Sequence, residues 1–532
     1  MLKASFRHRL QNYPWTILSA VWVIATLINI NKAFHIDDTF HLEAAEWIQY
    51  NPLRPMSGYI NWVDTDEPIH HFNQPPLYFY LIASVGALFG YNEIPLHLLQ
   101  SVFILISIVF FYKLAKLFNK EFALSASVLL ALGPGFLVNQ NLMTDIPILG
   151  ISIMFMYYII KADKADTFKN LFIAALILSV GLLIKYTLLP LAIILMYKVW
   201  QHKKNRVALV LSLPVFTIAF WSLANYLEYG GSHILGRPKN TLTPDLLLNN
   251  SVSFLLTLGA IAPFTLIFCD HFLKSSSRYT IVRVCFGIIT CVVIVYLLVY
   301  GLPLKAPFYS LFWVAFFTNG LILIIFPYIL LRRTTLTPAM KLIVLWFVGL
   351  IGFIVLFAPF MATRHSLLIL PPLLIIIAYT IKQISTKAIV FSISFTVLLG
   401  ILLSISDWQY ANFYRASAPV VLKQIPSSAK VWTVGHWGWQ WYSKKAGMEF
   451  YDSEKSKPEA GDYFVVPKRV YKQKIEANMK FSKVDEIVYP QNMWNSLTTA
   501  HYARFYHTYP QYIPWFVSLT PVDSIIIYKI IE

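Results

Sequence analysis

From Trp15 to Ser406 the chain is a succession of apolar runs, most of them near bilayer length, divided by short connectors rich in Lys and Arg. Backbone amides in hydrocarbon have no water to bond, so lipid-exposed runs of this kind fold as helices. A span needs about 20 apolar residues. With 57% of residues hydrophobic and 13% charged, the chain reads as a polytopic membrane protein. The formal charge of +17 does not imply nucleic acid, because Lys and Arg fall in the connectors rather than along one polar face. That placement fits orientation by positive charge and contact with anionic headgroups. Cys269, Cys285 and Cys291 lie inside apolar segments without metal-ligand spacing, so neither a disulfide framework nor a zinc site is implied.

Met1–Gln11 is basic, and the apolar run behind it is long and lacks a small-residue cleavage site. It reads as a retained first span, Trp15–Asn31, with the amino terminus in the cytoplasm. His35–Leu77 is then a polar, acidic island at the outer face. Within it, Thr39–Tyr50 has the mixed pattern of an interfacial helix. Pro75–Phe89 is apolar but short, and the charges decide its role. If it lies in the interface, the basic connectors 113–120, 161–169, 198–206, 274–278, 332–341 and 382–387 all fall inside; if it spans, all fall outside.

Further spans are expected at 95–112, 122–140, 146–160, 170–184, 187–200, 207–226, 251–272, 279–300, 308–331, 342–360, 365–381 and 388–406. With the first, this gives about thirteen transmembrane helices, an odd number that leaves the C-terminus outside. Beyond Asp407 charged residues return and the apolar stretches shorten. Lys430–Val434, Tyr463–Val466 and Ser524–Ile531 read as strands, with a helix near Trp437–Lys445. The expected organisation is a membrane domain, 1–406, with two interfacial helices in its first outer loop, and a small extracytoplasmic α/β domain, 407–532.

Asp37 and Asp38 stand where the first span leaves the membrane, placed for a carboxylate to take a proton from an acceptor hydroxyl. The plainer reading is an N-cap, and both can hold. Asp145 has the same two readings, and the topology brings it to the same face. Asn73 and Gln74 offer amides for a sugar hydroxyl or phosphate oxygen, ahead of Pro75 and Pro76, which start a helix. Lys185, Arg237, Lys239, Lys305, Arg364 and His365 are outward basic residues, against the usual bias, and are either phosphate partners or snorkelling cations. His70 and His71, with His35 or His41, lack the spacing of a metal site, so no metal or other cofactor is expected.

Asp37-Asp38 after the first span, Asn73-Gln74-Pro75-Pro76-Leu77, Thr144-Asp145-Ile146-Pro147, and Arg364-His365 with Pro371-Pro372 resemble the polyprenyl-phosphate-sugar-dependent glycosyltransferases of the GT-C class. More narrowly they are similar to bacterial family 39, related to protein O-mannosyltransferases and the lipid A aminoarabinose transferase. The resemblance covers residues 1 to about 400, and Gly435-His436-Trp437-Gly438 is also similar to bacterial members. It implies a GT-C-like bundle and transfer of a hexose, pentose or amino sugar from a polyprenyl-phosphate carrier to lipid A, a glycan or a protein at the outer face of the plasma membrane. It further implies Asp37 as base with Asp38 beside it, Asp145 as an orienting group, and no required metal. Asp38 stands where Glu is commoner. Asn73-Gln74 stands where the aminoarabinose enzyme has Glu-Lys, so that contact does not carry over.

Two other readings stay open. An oligosaccharyltransferase shares the architecture but carries a Trp-Trp-Asp-Tyr-Gly signature, which Trp439-Gln440-Trp441-Tyr442 is not. A lipid or glycan transporter or flippase would carry its charges within spans, whereas here they gather at one face.

Overall fold

The computed structural model describes residues 12–72, 74–202, 205–236, 241–301, 307–381, 385–489, 497, 504–518 and 521–531. Among them seven helices are long and apolar enough to cross a membrane, or eight if one pair bent by 97° counts as a single span. Other expected spans appear as shorter helices, including α1 (Pro14–Asn29) and the helix Thr167–Leu182. The two expected interfacial helices are present as α2 (Asp38–Tyr50) and α3 (Leu77–Phe89).

Several expected spans are broken, each for a local reason. The span read as 122–140 is two helices, Ala123–Ala131 and Pro134–Val138. The residue before a proline is driven out of the helical region, and Gly133 is extended at φ −77°, ψ 157°. The span read as 251–272 is the bent pair Pro244–Ile261 and Leu266–Ser275. Ala262, preceding Pro263, leaves helical geometry at φ −122°, ψ 70°. The span read as 365–381 begins at Thr363 and counts as one span to Thr380, with only Leu368 and Ile369 between α4 (Thr363–Leu367) and Leu370–Thr380. In the opposite sense, the last span does not stop near Ser406 but continues as one helix, α5 (Thr386–Lys423).

Pro244–Ile261 packs backbone to backbone on Pro307–Arg332: a Cβ on Gly259 would lie 1.9 Å from the Phe316 carbonyl oxygen, and one on Gly320 would lie 2.1 Å from that of Leu255. Small residues permit this approach, and within lipid such packing substitutes for the hydrophobic drive that water supplies elsewhere.

The bundle has two distinguishable ends. Asp145 starts the helix that finishes at Lys161, and Arg364 stands at the start of the run that finishes at Thr380. At the far end, Lys198 is ion-paired to Asp163, Arg333 bonds Ser276, and Asn119 donates to the Ala378 carbonyl. At the near end lies the C-terminal domain, a five-stranded sheet in the order β4-β3-β5-β7-β6, with β3 (Val431–Thr433), β4 (Glu449–Phe450), β5 (Tyr463–Pro467), β6 (Phe481–Val488) and β7 (Ser524–Ile530). β4, β3 and β5 run parallel; β7 is antiparallel to β5 and β6. The helix Trp437–Ala446 buries Trp439, Trp441 and Tyr442.

The loop that follows α1 docks on this domain. Its hairpin, β1 (Tyr59–Asn61) paired with β2 (Asp66–Pro68), lies against it through several bonds. The Asn61 carbonyl accepts from Gln440 Nε2 at 3.1 Å, Ser453 N donates to the Asp64 carbonyl at 3.1 Å, and Lys474 pairs with Asp64 at 3.2 Å. Loop and domain therefore share one face, as the charge-based topology anticipates.

Candidate active site

At the near end the acidic island meets Lys185 and Arg364. Asp37 precedes α2 but its carboxylate caps nothing. It accepts instead from Arg364 Nη2 at 3.1 Å. The same guanidinium places Nε 3.7 Å from Asp145 Oδ2, and Lys185 Nζ donates to Asp145 Oδ1 at 2.8 Å. Asp145 does not cap its helix either; it sits in the first turn, where the backbone dipole favours a negative charge. Lys185 emerges from the break after the helix Thr167–Leu182, its N–H bonded to the Gly181 carbonyl. Arg364 packs over the Phe360 ring at 5.5 Å, and its buried Nη1 has no hydrogen-bond partner among the described residues. Asp37, Asp145, Lys185 and Arg364 thus form one chain of charges, with Asp37 the more open carboxylate, its side chain 28% accessible against 3% for Asp145.

Gln74 joins the cluster through His41. The ring's Nδ1 lies 2.8 Å from the Asp37 carbonyl oxygen, and its Nε2 lies 2.8 Å from the Gln74 amide. Burial lowers the His41 pKa, which favours a neutral ring. Both ring nitrogens thus face oxygen atoms, the Asp37 carbonyl and Gln74 Oε1, and a neutral ring donates to one of them. His365 lies within electrostatic reach of Arg364, Lys185 and Asp145. Asn73, Arg237, Lys239 and Lys305 lie outside the described residues.

Asp38 departs from a place beside the base. Its side chain is fully buried and reaches backward, with Oδ2 accepting from His35 N at 2.8 Å. Burial, reinforced by the Asp37 charge, pushes its carboxyl up to about 8. Between them Ile36 is held at φ 51°, a left-handed conformation that costs a β-branched residue dearly and persists only where the surroundings impose it. Asp38 therefore shapes the turn that presents Asp37.

Behind this turn is a buried network that sequence reasoning missed. Lys32 Nζ pairs with Asp407 Oδ2 at 2.5 Å and donates to Asn141 Oδ1 at 2.6 Å and the Val138 carbonyl at 3.1 Å. Tyr506 OH donates to Asp407 Oδ2 at 2.7 Å and accepts from Asn141 Nδ2 at 3.1 Å. His35 lies between Tyr410 and Tyr506, at 4.6 and 5.5 Å between ring centres. The available signal was one Lys and one Asp at the ends of apolar helices, where a charge needs a partner.

The other histidines have separate surroundings: His71 pairs with Glu67 at 3.1 Å, and His70 stacks on Tyr229 at 4.7 Å. Among the described residues no group of three or more His, Cys, Asp or Glu is placed to hold a metal.

Residues 73–226 match the family described as dolichyl-phosphate-mannose-protein mannosyltransferase. Asp145 and Lys185 fall inside that segment; Asp37 and Arg364, which the fold brings to them, fall outside. Among curated protein sequences none matches. Of solved structures, ArnT from Cupriavidus metallidurans bound to undecaprenyl phosphate is similar over 85% of this chain and 92% of that one, at 11% identity and a TM-score of 0.48. An oligosaccharyltransferase from Archaeoglobus fulgidus is similar over 81% and 62%, at 14% identity and 0.41. The S. cerevisiae protein O-mannosyltransferase Pmt1-Pmt2 complex bound to the sugar donor is similar over 41% and 34%, at 14% identity and 0.30.

The polytopic helical fold and the match over residues 73–226 liken the chain to membrane-embedded glycosyltransferases. The matched segment is similar to the dolichyl-phosphate-mannose-protein mannosyltransferases, in line with the resemblance in the sequence.

Proposed function

We propose that the chain moves a sugar from a polyprenyl-phosphate carrier to an acceptor hydroxyl on lipid A, a glycan or a protein at the outer face of the membrane. The observation that carries this is the Arg364 guanidinium shared between Asp37 and Asp145, which joins a fixed cation to two carboxylates. The lipid-phosphate sugar in the description of the matched family supports the donor class.

In this reading the acceptor oxygen attacks the anomeric carbon and its proton passes to Asp37. The bond between that carbon and the phosphate oxygen breaks, the phosphate keeps the electron pair, and the carrier leaves as its monophosphate. Arg364 offers its unpartnered Nη1 to the growing phosphate charge. Lys185 holds Asp145, which orients a sugar hydroxyl or the acceptor. The test is transfer of a radiolabelled sugar by purified protein in nanodiscs, offered either a polyprenyl-phosphate sugar or a nucleotide sugar. Transfer from the lipid-linked donor alone is expected; transfer only from the nucleotide sugar overturns the donor class.

A further inference from the structure

The C-terminal domain returns to the membrane domain as a strap, residues 504–518, which pairs with the segment just ahead of Arg364. Backbone pairing fixes its register: Thr508 N donates to the Met361 carbonyl at 2.7 Å, and Thr363 N donates to the Phe505 carbonyl at 3.3 Å. Beside this pairing, Tyr506 OH is bonded to buried Asp407. Farther along, Trp313 Nε1 donates to the Pro510 carbonyl at 2.8 Å and Trp515 Nε1 to the Ala260 carbonyl at 3.0 Å. His507 stands between buried Tyr506 and buried Thr508 with its own side chain exposed. Its ring packs 4.5 Å from Phe360, the ring that also carries the Arg364 guanidinium. No hydrogen bond among the described residues engages its nitrogens. Arg364, Arg504 and Asp37 are its electrostatic neighbours.

Charge counting shows why another donor is needed. In the chain Asp37–Arg364–Asp145–Lys185, two carboxylates already offset two cations. An arriving phosphate ester brings further negative charge, and buried anions require hydrogen-bond donors. Resting on the donor class proposed above, we propose that His507 is a phosphate-binding residue of the donor site, so that the C-terminal domain completes this site through its strap. Partial desolvation and the Arg364 and Arg504 charges lower the His507 pKa to about 4, so the ring is neutral when the site is empty and offers one N–H.

The experiment compares His507→Ala, His507→Phe and His507→Gln, all at an exposed position where truncation leaves no cavity. Phe keeps the packing on Phe360 without a donor; Gln keeps an amide donor. Binding of undecaprenyl phosphate to protein in nanodiscs is expected to weaken by about tenfold or more in Ala and Phe, and to recover most of the way in Gln. The KM for the lipid-linked sugar should follow, with kcat moving less. Wild-type affinity in both Ala and Phe overturns the role of His507 while leaving the donor class standing. Failure of the wild-type protein itself to bind undecaprenyl phosphate overturns the donor class, and this assignment with it.

Discussion

Arg364 bonds Asp37 at 3.1 Å across 327 positions of sequence. Because its Nε also faces Asp145 at 3.7 Å, one planar side chain sets the spacing between two carboxylates from distant segments of the chain. Each carboxylate is therefore already turned to a fixed direction before substrate arrives, and turning it during reaction costs nothing further.

Replacing Asp37 with Asn keeps the shape but leaves an amide that takes no proton at neutral pH. The expected outcome is normal expression and carrier binding, with turnover reduced by about a hundredfold or more, in the range for lost general-base assistance. The measurement is single-turnover transfer in nanodiscs. Wild-type turnover would remove Asp37 as the base.

Arg364→Ala strips a charged hydrogen bond from a mostly buried site, a loss of about 1.5–3 kcal/mol. The donor KM should rise by about ten- to a hundredfold, since 1.36 kcal/mol is tenfold. Arg364→Lys is expected to recover only part, because an ammonium cannot face Asp37 and Asp145 in one plane. Full recovery by Lys would show that charge alone is required.

Lys32 and Asp407 are both fully buried, so removing either leaves the other charge unpaired. Lys32→Met or Asp407→Leu should cost about 3–5 kcal/mol, while the double variant Lys32→Met with Asp407→Leu should cost less than the sum. Thermal unfolding of detergent-solubilised protein reads this coupling. Additive losses would mean the pair is not coupled.

Asp38 gives a pH dependence of defined sign. Its carboxyl is raised from 3.8 to about 8, so the folded chain holds a proton that the unfolded chain releases over that interval. The folded state then binds more protons, and the contribution of this group to stability falls as pH rises through the window. Asp38→Asn keeps an oxygen for the His35 N–H and carries no charge, so it should flatten the decline between about pH 4 and pH 8. An unchanged slope in the melting-temperature profile would reject this.

The two-ended bundle predicts labelling by an impermeant thiol reagent. Leu53→Cys and Lys457→Cys, both exposed on the loop and domain that dock together, should react from the outside of intact cells. Lys164→Cys, beside the Asp163–Lys198 pair, should react only after permeabilisation. Opposite labelling of positions 53 and 457 would contradict the shared face.

The cluster was legible because topology is written in charge. Basic connectors fix which ends face outward, and that alone brings Asp37, Asp145, Lys185 and Arg364 to one face. Their pairing was not legible, because it depends on where helices from distant segments cross. The cap reading of Asp37 failed for a related reason: a tertiary cation claims the carboxylate that local rules assign to the helix. The strap lay beyond pattern reading as well, since residues 504–518 form no long element and are held by Met361, Trp313 and Tyr309, far away in sequence. The broken helices were marked by Pro134 and Pro263, but a proline announces a bend without its angle.

The final helix runs 38 residues from Thr386 to Lys423 without interruption. At 1.5 Å per residue it is about 57 Å long, roughly twice the thickness of the hydrocarbon core. It behaves as a mast rather than a tether: the domain it carries cannot be treated as a detachable module, since any cut near Ser406 splits one helix and strips Lys32 of Asp407. Fusions or swaps intended to retarget the enzyme would therefore have to exchange mast and domain together.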